Sequence, residues 1–198
     1  MKQQERTMQT KESILNAAEQ LFATRGYEAS SVSLICETAS VSKGAFYHHY
    51  ESKQVVFLEL MQRWLLSLDE QLAVIDESTG DVKAGLLSMG DIVGQVLDFG
   101  GPQLPIFLEF WSRAIRDPSV WEASVEPFQR YRDYFAALIQ RGIDEESIRK
   151  ISPHHTARVI IALGVGLLVQ GLLDPDGEDW RDVTHEALQL MFQGITTR

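Results

Sequence analysis

Residues Ser31 to Tyr50, SVSLICETASVSKGAFYHHY, constrain this chain more than any other stretch. Two short helical patterns flank a break at Ser40–Val41–Ser42. In the first, Val32, Ile35, Cys36 and Ala39 recur at the spacing of one buried helix face, behind a Ser30 or Ser31 cap. In the second, a wheel drawn at about 100° per residue from Phe46 puts Tyr50 on the same side and Gly44 and His48 opposite, with Tyr47 and Ala45 flanking them. Phe46 and Tyr50 therefore pack inward. The outward face holds a glycine and an alanine, which let a backbone come close to another surface. It also holds a tyrosine and a histidine, which offer hydrogen bonds to phosphates or base edges, while the alanine can touch a thymine methyl. A helix-turn-helix that reads DNA fits this pattern better than a solvated surface helix.

Lys53 adds to it. It falls in the first turn of the next helix, where the helix dipole disfavours a cation and a bound phosphate would reverse that sign. The net charge of −10 argues the other way until its distribution is considered. Residues 1–53 hold six Lys/Arg and six Asp/Glu, whereas residues 54–198 hold twelve and twenty-two, so the whole excess lies in the second part. A neutral N-terminal part can approach DNA if the acidic remainder points away.

The remaining periodicity is helical throughout, with no strand alternation and no internal repeat, so the chain reads as all-α with about nine helices. Residues 1–9 read as a mobile arm, and a first helix runs from about Thr10 to Arg25 with Ile14, Leu15, Ala18, Leu21 and Phe22 as its stripe. Ser52 caps a long fourth helix carrying Val56, Phe57, Leu60, Met61, Trp64, Leu65, Leu68 and Leu72, long enough to serve two modules. Asp76–Asp81 reads as a turn, Val82–Leu97 as a fifth helix, and Phe99–Pro105 as a break before a sixth. Asp117–Pro118 is an N-cap and N1 pair opening a seventh helix to about Arg141, in which Pro127 predicts a kink or a division in two. After a charged loop over Gly142–Ser152, an eighth helix to about Leu173 is apolar nearly all round. Its uninterrupted apolar core is short of the roughly 20 residues a bilayer requires, and Arg158 and Gln170 bracket it. Burial against several neighbours is therefore expected, with no membrane partner. Trp180–Ile195 closes the chain as a ninth helix.

The single cysteine, Cys36, excludes an internal disulfide, sits among apolar neighbours and fits a reducing cytoplasm. The polar start contains no signal peptide pattern, so a cytoplasmic location is expected. His154 and His155 are adjacent, point about 100° apart on a helix, and cannot share a metal. With no nucleophile elbow, phosphate loop or zinc spacing, neither catalysis nor a metal nor a cofactor is expected.

The run TRGYEASSVSLICETASVSKGAFYHHYESKQVVFLEL resembles the N-terminal domain of TetR-family transcriptional regulators over about residues 10–60. In that family a glycine-aromatic pair follows the first helix, a Ser/Thr pair opens the second, and a V-S-K-G-x-[FL]-Y-x-[HY]-[FY]-x-[ST]-K run spans the third into the fourth. The resemblance implies a three-helix DNA-binding domain at residues 1–53, with its helix-turn-helix at about 31–50. A helical ligand-binding and dimerisation domain would occupy residues 54–198. Carried over by position, Ser42, Lys43, Gly44, Ala45, Tyr47, His48 and His49 match the recognition-helix contacts, Ser31 a backbone contact and Lys53 a phosphate contact. Two positions depart from the pattern. Ser33 stands where many members carry a basic residue, and Ser40 replaces the usual turn glycine, which strains the turn if positive φ is required there.

The resemblance further implies a homodimer built on the eighth and ninth helices, through Ile161, Gly164, Leu168, Leu172, Ala187, Leu190 and Met191. Gly164, Gly166 and Gly171 would permit close helix approach. Two-fold symmetry would set the reading helices about 34–36 Å apart on a pseudo-palindromic operator in double-stranded DNA. An effector pocket is implied among Trp64, Phe107, Phe110, Trp111, Trp121, Phe128, Tyr131 and Phe135, taking a small hydrophobic or aromatic molecule whose binding releases a repressor from DNA. A regulator answering to a protein partner, or to no ligand, and an all-helical enzyme remain the alternatives at this point.

Overall fold

The computed structural model describes residues 2–78, 82, 84–87, 91, 103–174 and 176–196. Among the described residues the regular elements are all helices: α1 (Lys2–Arg25), α2 (Val32–Thr38), α3 (Lys43–His49), α4 (Lys53–Ser78), α5 (Gln103–Ala114), α6 (Pro118–Asp144), α7 (Pro153–Leu173) and α8 (Trp180–Gln193). The helix expected over Val82–Leu97 lies mostly outside the described residues and is helical at residues 82, 84–87 and 91. An isolated bridge joins Ile148 to Thr196. The protein is all-α.

Several boundaries differ from expectation for local reasons. The first helix begins at Lys2 rather than near Thr10, so residues 2–9 are helical and not an arm. Thr10 is no cap: its hydroxyl donates back to the Arg6 carbonyl at 2.9 Å, a mid-helix arrangement. The fourth helix runs on to Ser78, through the first part of the expected turn at Asp76–Asp81. Pro105 does not delay α5, because it sits in the first turn, where a backbone N–H has no intrahelical partner to lose. Pro127 does not divide α6 either. It lacks only the N–H that the Ala123 carbonyl would otherwise receive, and 27 residues of helix carry it.

The chain divides into two compact units, Met1–Leu66 with Pro102–Ala123 and Ser67–Gly101 with Ser124–Arg198. In the first, Ile14, Leu15, Ala18, Leu21 and Phe22 of α1 are buried with Ile35 and Cys36 of α2, Phe46 and Tyr50 around α3, and Val56, Phe57 and Met61 of α4. Aromatic rings dominate its centre. Phe57 meets Phe22 at 5.7 Å, Tyr27 at 4.9 Å and Phe110 of α5 at 5.9 Å between centroids. Burial pushes the Cys36 thiol up from its ordinary pKa, so it stays a neutral, packed group.

The second unit is centred on Leu72, Val82, Leu86, Leu138, Ile139, Ile148, Ile160, Leu188 and Phe192. The loop after α6 folds back tightly: the amides of Ser147 and Ile148 both donate to the Gly142 carbonyl at 2.9 Å. A Cβ at Gly142 would lie 2.6 Å from Ile148 Cδ1, so any larger residue here would have to displace the Ile148 side chain. Ser152 and Asp179 cap α7 and α8, and Pro153 occupies the first turn of α7, as the N-cap and N1 preferences dictate. Burial of α7 on all sides does not occur within the chain. It is long and apolar enough to cross a membrane by composition, and 28% of its most apolar window is buried. The covered face is Ala157, Ile160, Leu167, Leu168 and Gly171, whereas Val159 is 54% and Leu173 78% exposed. One helix face can meet only the neighbours on its own side, and here those neighbours cover one stripe.

Candidate nucleic-acid interface

The helix-turn-helix is assembled by three local devices. Ser31 caps α2 by accepting the Leu34 amide at 3.2 Å, and Ser42 caps α3 by accepting the Ala45 amide at 3.1 Å. Between them the chain closes α2 with a Schellman turn. The Val41 amide reaches the Cys36 carbonyl at 2.9 Å and the Ser40 amide the Glu37 carbonyl at 3.1 Å. That turn requires a left-handed residue, and Ser40 supplies it at φ 55°. Serine thus occupies a conformation that suits glycine, the strain anticipated from the missing turn glycine.

With the turn set, Phe46 and Tyr50 are buried at 0% and 2% exposure, and this fixes which way α3 faces. Lys43, Gly44, Tyr47 and His48 are exposed, Ala45 and His49 half-buried. Tyr47 is held edge-on against Phe46 at 5.3 Å, and the His48 and His49 rings lie 5.1 Å apart. Ser31 and Ser42 are exposed beside them. The arrangement offers hydroxyl, imidazole and ammonium groups on one small-residue surface.

Lys53, in the first turn of α4, is turned toward the end of α1. It is half-buried, its ammonium donates to the Tyr27 carbonyl at 2.5 Å, and it lies 3.9 Å from the Tyr27 ring centroid. Burial lowers its pKa. Tyr27 receives more than Lys53. Its amide donates to Glu109 Oε2 at 2.8 Å, and the Arg113 guanidinium carbon lies 4.1 Å from its ring. Arg113 also pairs with Glu28, and approaches Asp117 at 4.0 Å. Burial raises the Tyr27 hydroxyl pKa. No local pattern in the sequence links the Gly26–Tyr27 pair to Glu109, 82 positions away. A second ionic set joins α1 to α4: Lys11 to Glu59 at 2.9 Å, and Arg63 to Glu12 at 2.5 Å and to Glu59 at 3.6 Å.

The aromatic residues considered for an effector pocket are divided between the two units, Trp64 to Trp121 in the first and Phe128, Tyr131 and Phe135 in the second. Trp64 stacks on Phe107 at 4.8 Å and Phe107 on Trp111 at 5.5 Å, while Phe110 packs on Phe57. Trp111, Trp121 and Phe128 are exposed. The Tyr131 hydroxyl donates to Asp69 at 2.8 Å, with Arg130 on the other carboxylate oxygen at 2.8 Å, and Phe135 packs on the second core. Of the residues considered for a dimer interface, Leu172 and Leu190 are exposed, Ile161, Gly164, Ala187 and Met191 half-buried, and Leu168 buried. A Cβ at Gly164 or Gly166 would meet nothing within 4 Å.

Comparison with known proteins agrees with this architecture. The family model of bacterial regulatory proteins of the tetR family matches residues 14–60, and that of the C-terminal part of BetI-type transcriptional repressors matches residues 96–193. The A-factor receptor protein of Streptomyces griseus is 28% identical over 188 residues, covering 91% of this chain and 62% of that protein, so the chain spans less than two thirds of it. The transcriptional regulator UidR of Escherichia coli K12 is 26% identical over 194 residues, covering 95% and 93%. A regulator from Saccharomonospora viridis, solved in complex with choline, shares the fold at TM-score 0.83 and 23% identity, covering 95% of this chain and 98% of that one. With both parts of the chain matched and the reading head built as described, the chain belongs to the TetR family of DNA-binding transcriptional regulators.

Proposed function

We propose that the protein is a homodimeric repressor that binds a pseudo-palindromic operator and is released by a small hydrophobic effector. The observation that carries the DNA reading is the exposed face Lys43, Gly44, Tyr47 and His48 on a short helix whose other side is locked by Phe46 and Tyr50. Gly44 and Ala45 let the backbone come close, Tyr47, His48 and His49 meet phosphates or base edges, and Ser31, Ser42 and Lys43 contact the phosphate backbone. Lys53 enters the same reading as a phosphate contact through the donors that Tyr27 does not take. Residues 1–53 form the DNA-binding domain and residues 54–198 the ligand-binding and dimerisation domain, in cytoplasmic protein.

The dimer reading is supported by the uncovered apolar side of α7, by the open space at Gly164 and Gly166, and by the exposure of Leu172 and Leu190. The hydrophobic character of the effector is argued from the wealth of aromatic side chains in α5 and α6, and the binding of a small molecule from the choline complex of the Saccharomonospora viridis neighbour, which shares the fold. The test is selection of duplexes from a random library by the full chain. An inverted repeat should emerge, bound with an affinity that falls steeply with salt. Tyr47→Ala should weaken it by about five- to 150-fold, at about 1–3 kcal/mol per lost base-edge contact. Hydrophobic compounds that raise the melting temperature should release the duplex. Selection of no sequence would overturn the reading.

A further inference from the structure

We propose that Glu109 and Arg113 are positioning residues for DNA reading. From α5 they hold the turn between α1 and α2 through Tyr27, and so set where Ser31 and the α3 face stand. The inference rests on the DNA-binding reading above.

The turn explains why such holders are required. Gly26 leaves α1 at φ 79°, which turns the Tyr27 amide away from the helical ladder. That amide donates instead to a carboxylate 82 residues further on, Glu109 Oε2 at 2.8 Å. The Tyr27 carbonyl accepts from Lys53 and from the Ser30 amide at 3.2 Å, and the fully buried Ser30 hydroxyl donates to the Gly26 carbonyl at 2.7 Å. The Tyr27 ring lies against Phe22 and Phe57 and within 3.9 Å and 4.1 Å of the cationic groups of Lys53 and Arg113. Ser31 follows directly as the cap of α2, and the Schellman turn then carries α3. The hold thus passes by hydrogen bonds from Glu109 to Tyr27 and Ser30, along the chain to Ser31, and through the Ser31 cap and the Schellman turn to α3.

Glu109 and Arg113 are four residues apart, so they share a face of α5. Arg113 extends the hold to Glu28 in the same turn and to Asp117, which also accepts from Gln54 at the start of α4 at 3.1 Å. The segment that carries both residues lies within the match to the C-terminal family part, 96–193, yet it grips the turn that orients the N-terminal one.

The charge of Glu109 makes the test decisive. Removing a carboxylate from a DNA-binding unit should by simple electrostatics raise duplex affinity. Positioning requires the opposite sign. Using the duplex selected by the full wild-type chain, affinities of Glu109→Ala, Glu109→Gln, Arg113→Ala and Arg113→Lys are compared at several salt concentrations. Glu109→Ala should bind about tenfold more weakly, the scale of a lost charge-assisted hydrogen bond. Glu109→Gln keeps an acceptor for the Tyr27 amide and should recover most of that loss. Both Arg113 variants should weaken binding with the wild-type salt slope, whereas a lost phosphate contact flattens the slope by about 0.9. Amide exchange at residues 26–31 should quicken in Glu109→Ala and return toward wild type in Glu109→Gln. If Glu109→Ala does not fold, the Gln and Lys variants still decide through affinity, slope and exchange. Wild-type or tighter binding in every variant overturns the inference alone, as does a flattened slope in the Arg113 pair. Failure of the wild type to select any duplex overturns the DNA reading and this inference with it.

Discussion

Ser40 is a residue in the wrong conformation for its type, and replacing it by glycine should stabilise the protein. Its φ of 55° places it in the left-handed region, where a Cβ crowds the following carbonyl at a cost of roughly 1–2 kcal/mol. Ser40 is exposed, and its structural contribution is its amide, donated to the Glu37 carbonyl at 3.1 Å, which glycine retains. Against the relief stands the greater freedom of glycine in the unfolded chain, about 0.5–1 kcal/mol. The difference leaves a gain of about 0.5–1 kcal/mol, or an increase in Tm of about 1–4 °C for a chain of this size. Urea and thermal unfolding followed by tryptophan fluorescence should show Ser40→Gly shifted up with an unchanged m value, Ser40→Ala near wild type, and Ser40→Val below it. Trp64, Trp111 and Trp121 all lie in the unit that contains the turn, so the probe reports on the right region. A glycine variant no more stable than wild type, or a valine variant equal to it, would refute the strain argument.

Gly142→Ala should lower stability by about 1–3 kcal/mol, because the new Cβ would press on the buried Ile148 side chain at 2.6 Å; urea unfolding measures it. Gly164→Ala and Gly166→Ala meet open space within the chain and should favour the helix by about 1 kcal/mol each, yet weaken a dimer whose helices close on those positions. Sedimentation velocity across a dilution series, paired with thermal melts, separates the two effects. The Arg63 hydrogen bond holds the Glu12 carboxyl below its ordinary value of 4.5. A depressed carboxylate stabilises the fold above that ordinary value and ceases to as the pH falls through the folded-state pKa. Melting temperatures should therefore drop less steeply on acidification in Arg63→Ala than in wild type.

The sequence alone determined the parts of the reading head that depend on near neighbours. Serine caps, the helical repeat of Ile35 and Cys36, and the opposition of Phe46 and Tyr50 to Gly44 and His48 all involve residues within a turn or two of one another. Their geometry is set by backbone period and rotation, so a wheel finds the exposed face that the structure has. The all-helical class was legible for the same reason, and the motif around Val41–Lys53 carried the family. Helix ends were less legible where propensity was favourable on both sides. Nothing in KQQERTMQ forbids helix, so α1 extends to Lys2.

Tertiary structure decided everything that depends on distant residues. Lys53 sits one turn from the reading helix in sequence, but its ammonium is directed by the Tyr27 carbonyl and ring. Glu109 reaches the Tyr27 amide, and Arg113 reaches Glu28, from α5, whose Phe110 packs on Phe57 at the head's aromatic centre. The same holds for α7, apolar nearly all round in sequence and covered on one stripe in the fold. A side chain's own pattern states that it must be buried or paired; which group satisfies it is settled by long-range packing, which local periodicity does not encode.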